Sequence, residues 1–342
     1  MSSRLRKRLE SEGFAVTAEI GPPRGADLAA VRNKAEILRG WVDAVNITDN
    51  QGSHVRLSSW AGSLAAMDAG VEPVMQVTCR DRNRIALQSD LLSASAMGIP
   101  NVLLMTGDHP KLGDHAEAKP VFDLDSTQLT WTARTMRDER KLLSGRELDP
   151  APDWFIGAVE NPFAPPEGFR AQRLAKKVAA GAEFVQTQFV FDIPAFARWM
   201  EQVGDLGLTE RCHVIAGVGP IRSLRALDHM RNNVPGLHIP DEVDRRLRGV
   251  PADRVAAEGM RLAAEIVQLV KEIPGVSGVH VMAFGYERGI PEILEGAGVG
   301  ARGDTVSDAS ESSEPSESSE PSEPSEPSAV KRGGGAGSDH AD

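Results

Sequence analysis

Eight short apolar runs, each closed by polar residues and followed by a helix-like segment, fix most of what this chain can become. They cover residues 15–20, 42–48, 73–78, 101–106, 155–160, 184–191, 213–218 and 278–284. Near-continuous apolar strands alternating with helices predict a parallel sheet covered on both faces. Eight such units in about 290 residues match the count of a (β/α)8 barrel. The expected fold class is therefore α/β, a single-domain TIM barrel over residues 1–300. Segments 27–41 and 169–182 support it, with apolar residues at i, i+3 and i+4 as a helix packed on a sheet requires. A doubly wound open sheet is the alternative, weakened because no G-x-G-x-x-G follows the first run.

Residues 301–342 form a Ser-Glu-Pro repeat with a Gly-rich stub. With almost no apolar residues and recurring like charge, they predict a disordered tail that solubilises or docks. That tail holds ten acidic and three basic residues, so it carries −7 of the net charge of −11 and leaves −4 on residues 1–300. A nearly balanced body argues against nucleic acid as a partner. No apolar stretch of transmembrane length occurs, so no membrane partner is expected. The basic N-terminus lacks an apolar signal region and reads as a first helix. Two isolated cysteines, Cys79 and Cys212, suit a reducing cytoplasm rather than a disulfide framework.

In a barrel, chemistry belongs at the C-terminal ends of the strands. Nearly every run here ends in polar residues: Glu19, then 48–51 (TDNQ), 76–82 (QVTCRDR), 106–110 (TGDHP), 160–162 (ENP) and 186–192 (QTQFVFD). Glu19 sits within an apolar strand, where an unpaired carboxylate is costly. It is either salt-bridged across the barrel mouth or a carboxylic acid with a raised pKa, poised as a general acid. Asp108 after Gly107 is either a helix cap or a site residue. Gln186 and Gln188 share a strand face, with Thr187 pointing away, and an amide pair can read a heterocycle. Lys176 and Lys177 are either a solvated helix face or a phosphate site. His54, His109 and His115 lack metal-ligand spacing, so no metal is expected.

The motifs AEIGPPRG, TDNQ, QVTCRDRNRIALQSDLL, NVLLMTGDHP, KPVFDLDS, AAGAEFVQTQFVFD and AGVGPI, in this order over residues 12–295, resemble methylenetetrahydrofolate reductases. The resemblance is to the short bacterial form, near the acetogen-like branch. It implies FAD in the barrel mouth, NADH or NADPH as electron donor, and reduction of 5,10-methylenetetrahydrofolate to 5-methyltetrahydrofolate in one-carbon and methionine metabolism. It implies Glu19 as general acid and Asp108 as the aspartate beside flavin and pterin. It places Thr48, Asn50, Gln51, Gln76, Thr78, Thr106, Gly107, Asp108, Asp123, Arg173, Lys176 and Lys177 around the cofactor. Glu19, Asp108, Gln188, Met230, Tyr286 and Arg288 fall to the folate.

The chain departs from the family pattern at several of these positions. Gln76 stands for a His, Thr106 for an Arg and Asp49 for a Tyr, Met230 falls near the stacking aromatic, and Tyr286 takes the place of a substrate-binding Arg, with Arg288 close by. Some such relatives take electrons from a partner protein, and some lack flavin, so donor, direction and oligomeric state stay open. Two other readings remain at this level: a pterin-binding methyltransferase-type barrel, or a non-catalytic electron-transfer subunit docked by its tail.

Overall fold

A computed structural model describes residues 3–234 and 236–302. The expected tail falls, from 303 onward, outside the described residues. Eight parallel strands close into one barrel in sequence order: β1 (Ala15–Ile20), β2 (Ala44–Ile47), β3 (Pro73–Thr78), β4 (Asn101–Met105), β5 (Phe155–Glu160), β6 (Phe184–Phe189), β7 (His213–Val218) and β8 (Val276–Val281). Pairing of β1 with β8, Thr17 opposite His280, completes the ring and removes the open-sheet alternative. The helices are α1 (Arg4–Glu10), α2 (Leu28–Leu38), α3 (Ser59–Asp68), α4 (Arg84–Ala96), α5 (Ser126–Asp138), α6 (Arg170–Ala180), α7 (Ile193–Asp205), α8 (Leu224–Asn233), α9 (Asp241–Arg248), α10 (Val255–Lys271) and α11 (Ile290–Gly296). None among the described residues is long and apolar enough to cross a membrane.

Helix boundaries follow local chemistry. Asp27 caps α2 by accepting from the Ala29 and Ala30 amides, and Asp125 with Gln128 forms a capping box on α5. β8 starts two residues before its apolar run and stops before 284, because Phe284 and Gly285 both turn to positive φ there. β6 stops at Phe189 after a bulge: its register moves three residues, Gln186 to Phe189, while β7 moves two.

Outward-facing strand residues such as Val16, Ala18, Ile20 and Val45 pack under the helix layer in the main core. Inside the barrel, the base is apolar. Leu5 and Leu9 of α1 close it against Val74, Leu103, Phe155, Phe184 and Ile215. Phe184 stacks on Phe155 at 4.8 Å and fills the space above Gly157, where a Cβ would lie 2.2 Å from its ring. With the base sealed, only the upper end of the interior is open.

Cys79 and Cys212 are both free and buried, and burial pushes both thiols up to about 12. A thiol reagent at pH 8 is therefore expected to titrate neither in the folded protein and both after denaturation. Fast reaction of either in the native state would contradict this packing.

Candidate active site

The C-terminal ends of the strands surround a cleft of about 520 Å³. Of the expected residues, Glu19, Asn50, Gln51, Gln76, Thr78, Thr106, Gly107, Asp108, Arg173, Lys177 and Gln188 line it. Gly107 holds a φ of 87°, and a Cβ there would lie 3.0 Å from the Thr78 Cβ, so the ends of β3 and β4 meet closely. Thr187 lines the cleft as well, against the alternation of a regular strand. The β6 bulge turns it toward β7, where its hydroxyl accepts from the Gly217 amide at 2.9 Å.

Four carboxylates line this cleft, and their partners differ. Asp49, buried, accepts from the Thr78 amide and hydroxyl at 2.9 Å each and from both terminal nitrogens of Arg82 at 2.7 and 3.1 Å. Glu160, also buried, accepts from Lys177 at 2.9 Å and Arg173 at 3.3 Å. Asp108 is exposed at the rim, and its carboxylate has no hydrogen-bond or ion-pair partner among the described residues. The cap on the turn that follows is His109, whose ring accepts from the Lys111 amide. Glu19, with a side chain only 10% exposed, accepts from the Gln51 amide nitrogen at 2.9 Å and lies 4.0 Å from His280 Nε2. No lysine or arginine among the described residues pairs with it, so the salt-bridge alternative for Glu19 is not realised.

The charged segment after β3 is engaged in ion pairs, although Arg80 also lines the cleft. Arg80, buried, grips Asp81 and donates to the Ser53 hydroxyl and to the carbonyls of Asp108 and Asn50, tying three loops together. Arg82 serves Asp49 and Asp90, and Arg84 serves Asp123.

Six expected residues do not line the cleft. Asp123 is bound by the Arg84 side chain and amide, whose hydrogen bonds hold its carboxyl down to about 2. Lys176 is exposed on α6 with its ammonium 4.8 Å over the Phe169 ring. Met230 points into the core from α8. Tyr286 lies under the Arg222 guanidinium at 3.6 Å, and Arg288 is exposed beyond it. Thr48 is buried at the end of β2 with its hydroxyl unpartnered.

The sequence reading missed Glu160 and His280 as site residues. Glu160 was visible as the polar end of its strand, while His280 looked like one polar residue inside an apolar run.

A sequence profile of methylenetetrahydrofolate reductases matches residues 4–298. A probable methylenetetrahydrofolate reductase (NADPH) of Caenorhabditis elegans is 23% identical over 87% of this chain and 44% of its own length. A 5,10-methylenetetrahydrofolate reductase of Pectobacterium carotovorum is 22% identical over 78% of this chain and 84% of its own. The chain thus spans less than half the length of its eukaryotic relative. Among solved structures, a Clostridium thermocellum protein described as binding two copies of 5-methyl-5,6,7,8-tetrahydrofolic acid superposes with a TM-score of 0.60 at 14% identity, covering 86% of this chain and 97% of that one. At that identity the likeness speaks for the barrel alone.

Proposed function

The chain belongs to the methylenetetrahydrofolate reductase family, and from that premise we propose that it reduces 5,10-methylenetetrahydrofolate to 5-methyltetrahydrofolate. The observation that carries the reading is Glu19: a nearly buried carboxyl with no lysine or arginine partner among the described residues, at the open end of a cleft whose other buried carboxylates, Asp49 and Glu160, are both paired with cations. The reaction needs one proton and one hydride. Glu19 gives its proton to N10 of the folate as the N10–methylene bond breaks, leaving a methylene iminium at N5 that the hydride converts to a methyl group. Gln51 holds the Glu19 carboxyl in place through this step. Asp108 and Gln188, at the ends of strands two places apart in the ring, offer an acceptor and an amide to the pterin.

The residues present fit FAD. Gln76 brings a side-chain amide and Gln51 an amide oxygen to the cleft for a ring system, and Thr48 holds an unused buried hydroxyl close by in sequence. At the other end, Arg173 and Lys177 share the one carboxylate of Glu160, which leaves that end net positive and suited to phosphates. Bound there, the flavin would supply the hydride, drawn from NADH or NADPH. Two buried free thiols suit a reducing compartment such as the cytoplasm.

Protein loaded with FAD is expected to be yellow and to bleach with NADH or NADPH. Adding 5,10-methylenetetrahydrofolate should restore the colour, with one 5-methyltetrahydrofolate formed per flavin. Failure to retain FAD, or a flavin that stays oxidised with both donors, would remove the flavin and nicotinamide parts of the reading.

A further inference from the structure

Behind Glu19 the barrel interior carries buried polar side chains that the chemistry above does not use. Thr17, Asn46, Gln186 and His280 are all at most 3% exposed. A barrel interior at this depth is ordinarily filled by branched apolar residues, and buried polar groups are tolerated where each is hydrogen-bonded. These four form one connected run. Asn46 and Gln186 exchange hydrogen bonds at 2.5 and 3.1 Å, Gln186 Nε2 also donates to Thr17 Oγ1 at 3.1 Å, and Thr17 Oγ1 meets His280 Nδ1 at 2.9 Å. The run ends with His280 Nε2 4.0 Å from Glu19 Oε2.

The direction of the run favours one tautomer of the imidazole. Thr17 Oγ1 accepts from Gln186, so its single proton must go elsewhere. His280 Nδ1 at 2.9 Å is a better acceptor for it than the Val279 carbonyl at 3.5 Å. With Nδ1 accepting, the ring hydrogen is on Nε2, the nitrogen that faces Glu19. Gln51 occupies the other carboxyl oxygen, Oε1, so Oε2 is the atom left for His280.

We propose that His280 is a positioning residue for proton transfer by Glu19: a neutral imidazole, its tautomer set from behind by Thr17, that presents Nε2–H to Oε2 as the carboxyl becomes a carboxylate. The proton leaves Glu19 for the folate, and His280 neither gains nor loses one. The other charged groups lining the cleft do not compete. Asp49 is held by Arg82, Arg80 by Asp81 and Glu160 by Arg173 and Lys177, while Asp108 lies exposed at the rim. This rests on Glu19 acting as the acid, but the imidazole's tautomer does not.

The test is long-range ¹⁵N–¹H NMR of the histidine rings in the full-length protein, with H280N assigning the signal. The expected pattern is that of a neutral Nε2–H tautomer. An Nδ1–H pattern, in which Thr17 Oγ1 accepts from the ring as well as from Gln186 and turns its own proton to the Val279 carbonyl, would overturn the proposal. The kinetic arm compares H280Q, whose amide can reach the Nε2 position, with H280N, which can meet only Thr17. Folate reduction should fall on the order of ten- to a hundredfold in H280N and much less in H280Q. Its alkaline limb should move to higher pH in H280N alone, while flavin reduction stays unchanged. Equal losses with superimposable pH profiles would mean that His280 only fills space, and would also overturn it. An Nε2–H signal in a protein that reduces no folate would count against the proposed reaction and leave this placement standing.

Discussion

Glu19→Gln is expected to leave reduction of the flavin by its nicotinamide donor nearly intact and to lower folate reduction by about 10²- to 10⁴-fold. The substitution keeps the shape of the side chain, so the cleft should not collapse, and an amide can still meet Gln51. What it removes is the transferable proton at a position 4.0 Å from His280 and within hydrogen-bond reach of the cleft's amides. The nicotinamide step delivers a hydride and needs no acid at that point. Single-turnover stopped flow separates the two, reading flavin bleaching with NADH or NADPH and then reoxidation by 5,10-methylenetetrahydrofolate. If both steps slow together, Glu19 is a structural or cofactor-binding residue and the acid assignment is wrong.

Arg82→Met is expected to destabilise the fold by about 3–5 kcal/mol, because it strands a buried carboxylate. The Asp49 side chain has no exposed surface, and Arg82 is the cation that neutralises it, through both terminal nitrogens. The Thr78 amide and hydroxyl remain as donors, but two neutral hydrogen bonds do not replace a guanidinium. Urea unfolding of the variant measures the cost. The double variant Asp49→Asn, Arg82→Met should recover much of it by removing the charge left behind. A loss below about 1 kcal/mol in the single variant would show that Asp49 is relieved in some other way, by water or by taking up a proton.

The barrel itself was written in the order of the apolar runs, because period and composition report which segments are covered on both faces. Glu19, Asp108 and the amides at the strand ends were legible for a related reason: once eight units are counted, the geometry of the fold says which end is open. Partnerships were not legible. Arg173 and Lys177 could be read as a basic helix, but that they share Glu160 depends on how α6 lies over β5. Arg80, Arg82 and Arg84 carry no sign in the sequence of their partners, and they are paired with Asp81, Asp49, Asp90 and Asp123. His280 is separated by 263 positions from Thr17, and only barrel closure brings them together. Met230, Tyr286 and Arg288 were placed by resemblance at positions where this chain departs from the family pattern. There the side chains settled their own packing, Met230 in the core and Tyr286 under Arg222.

The plug at the barrel base has a consequence for biosynthesis. α1 precedes every residue it packs against, and the apolar face of Leu5 and Leu9 is completed by Phe184 and Ile215, while β1 waits for β8 to close the ring. At a translation rate of 5–20 residues per second, that helix would emerge from the ribosome roughly 10 to 40 seconds before Ile215 does. The face of Leu5 and Leu9 therefore stays uncovered through most of the synthesis of the barrel, and a holdase acting on the ribosome would find a target there.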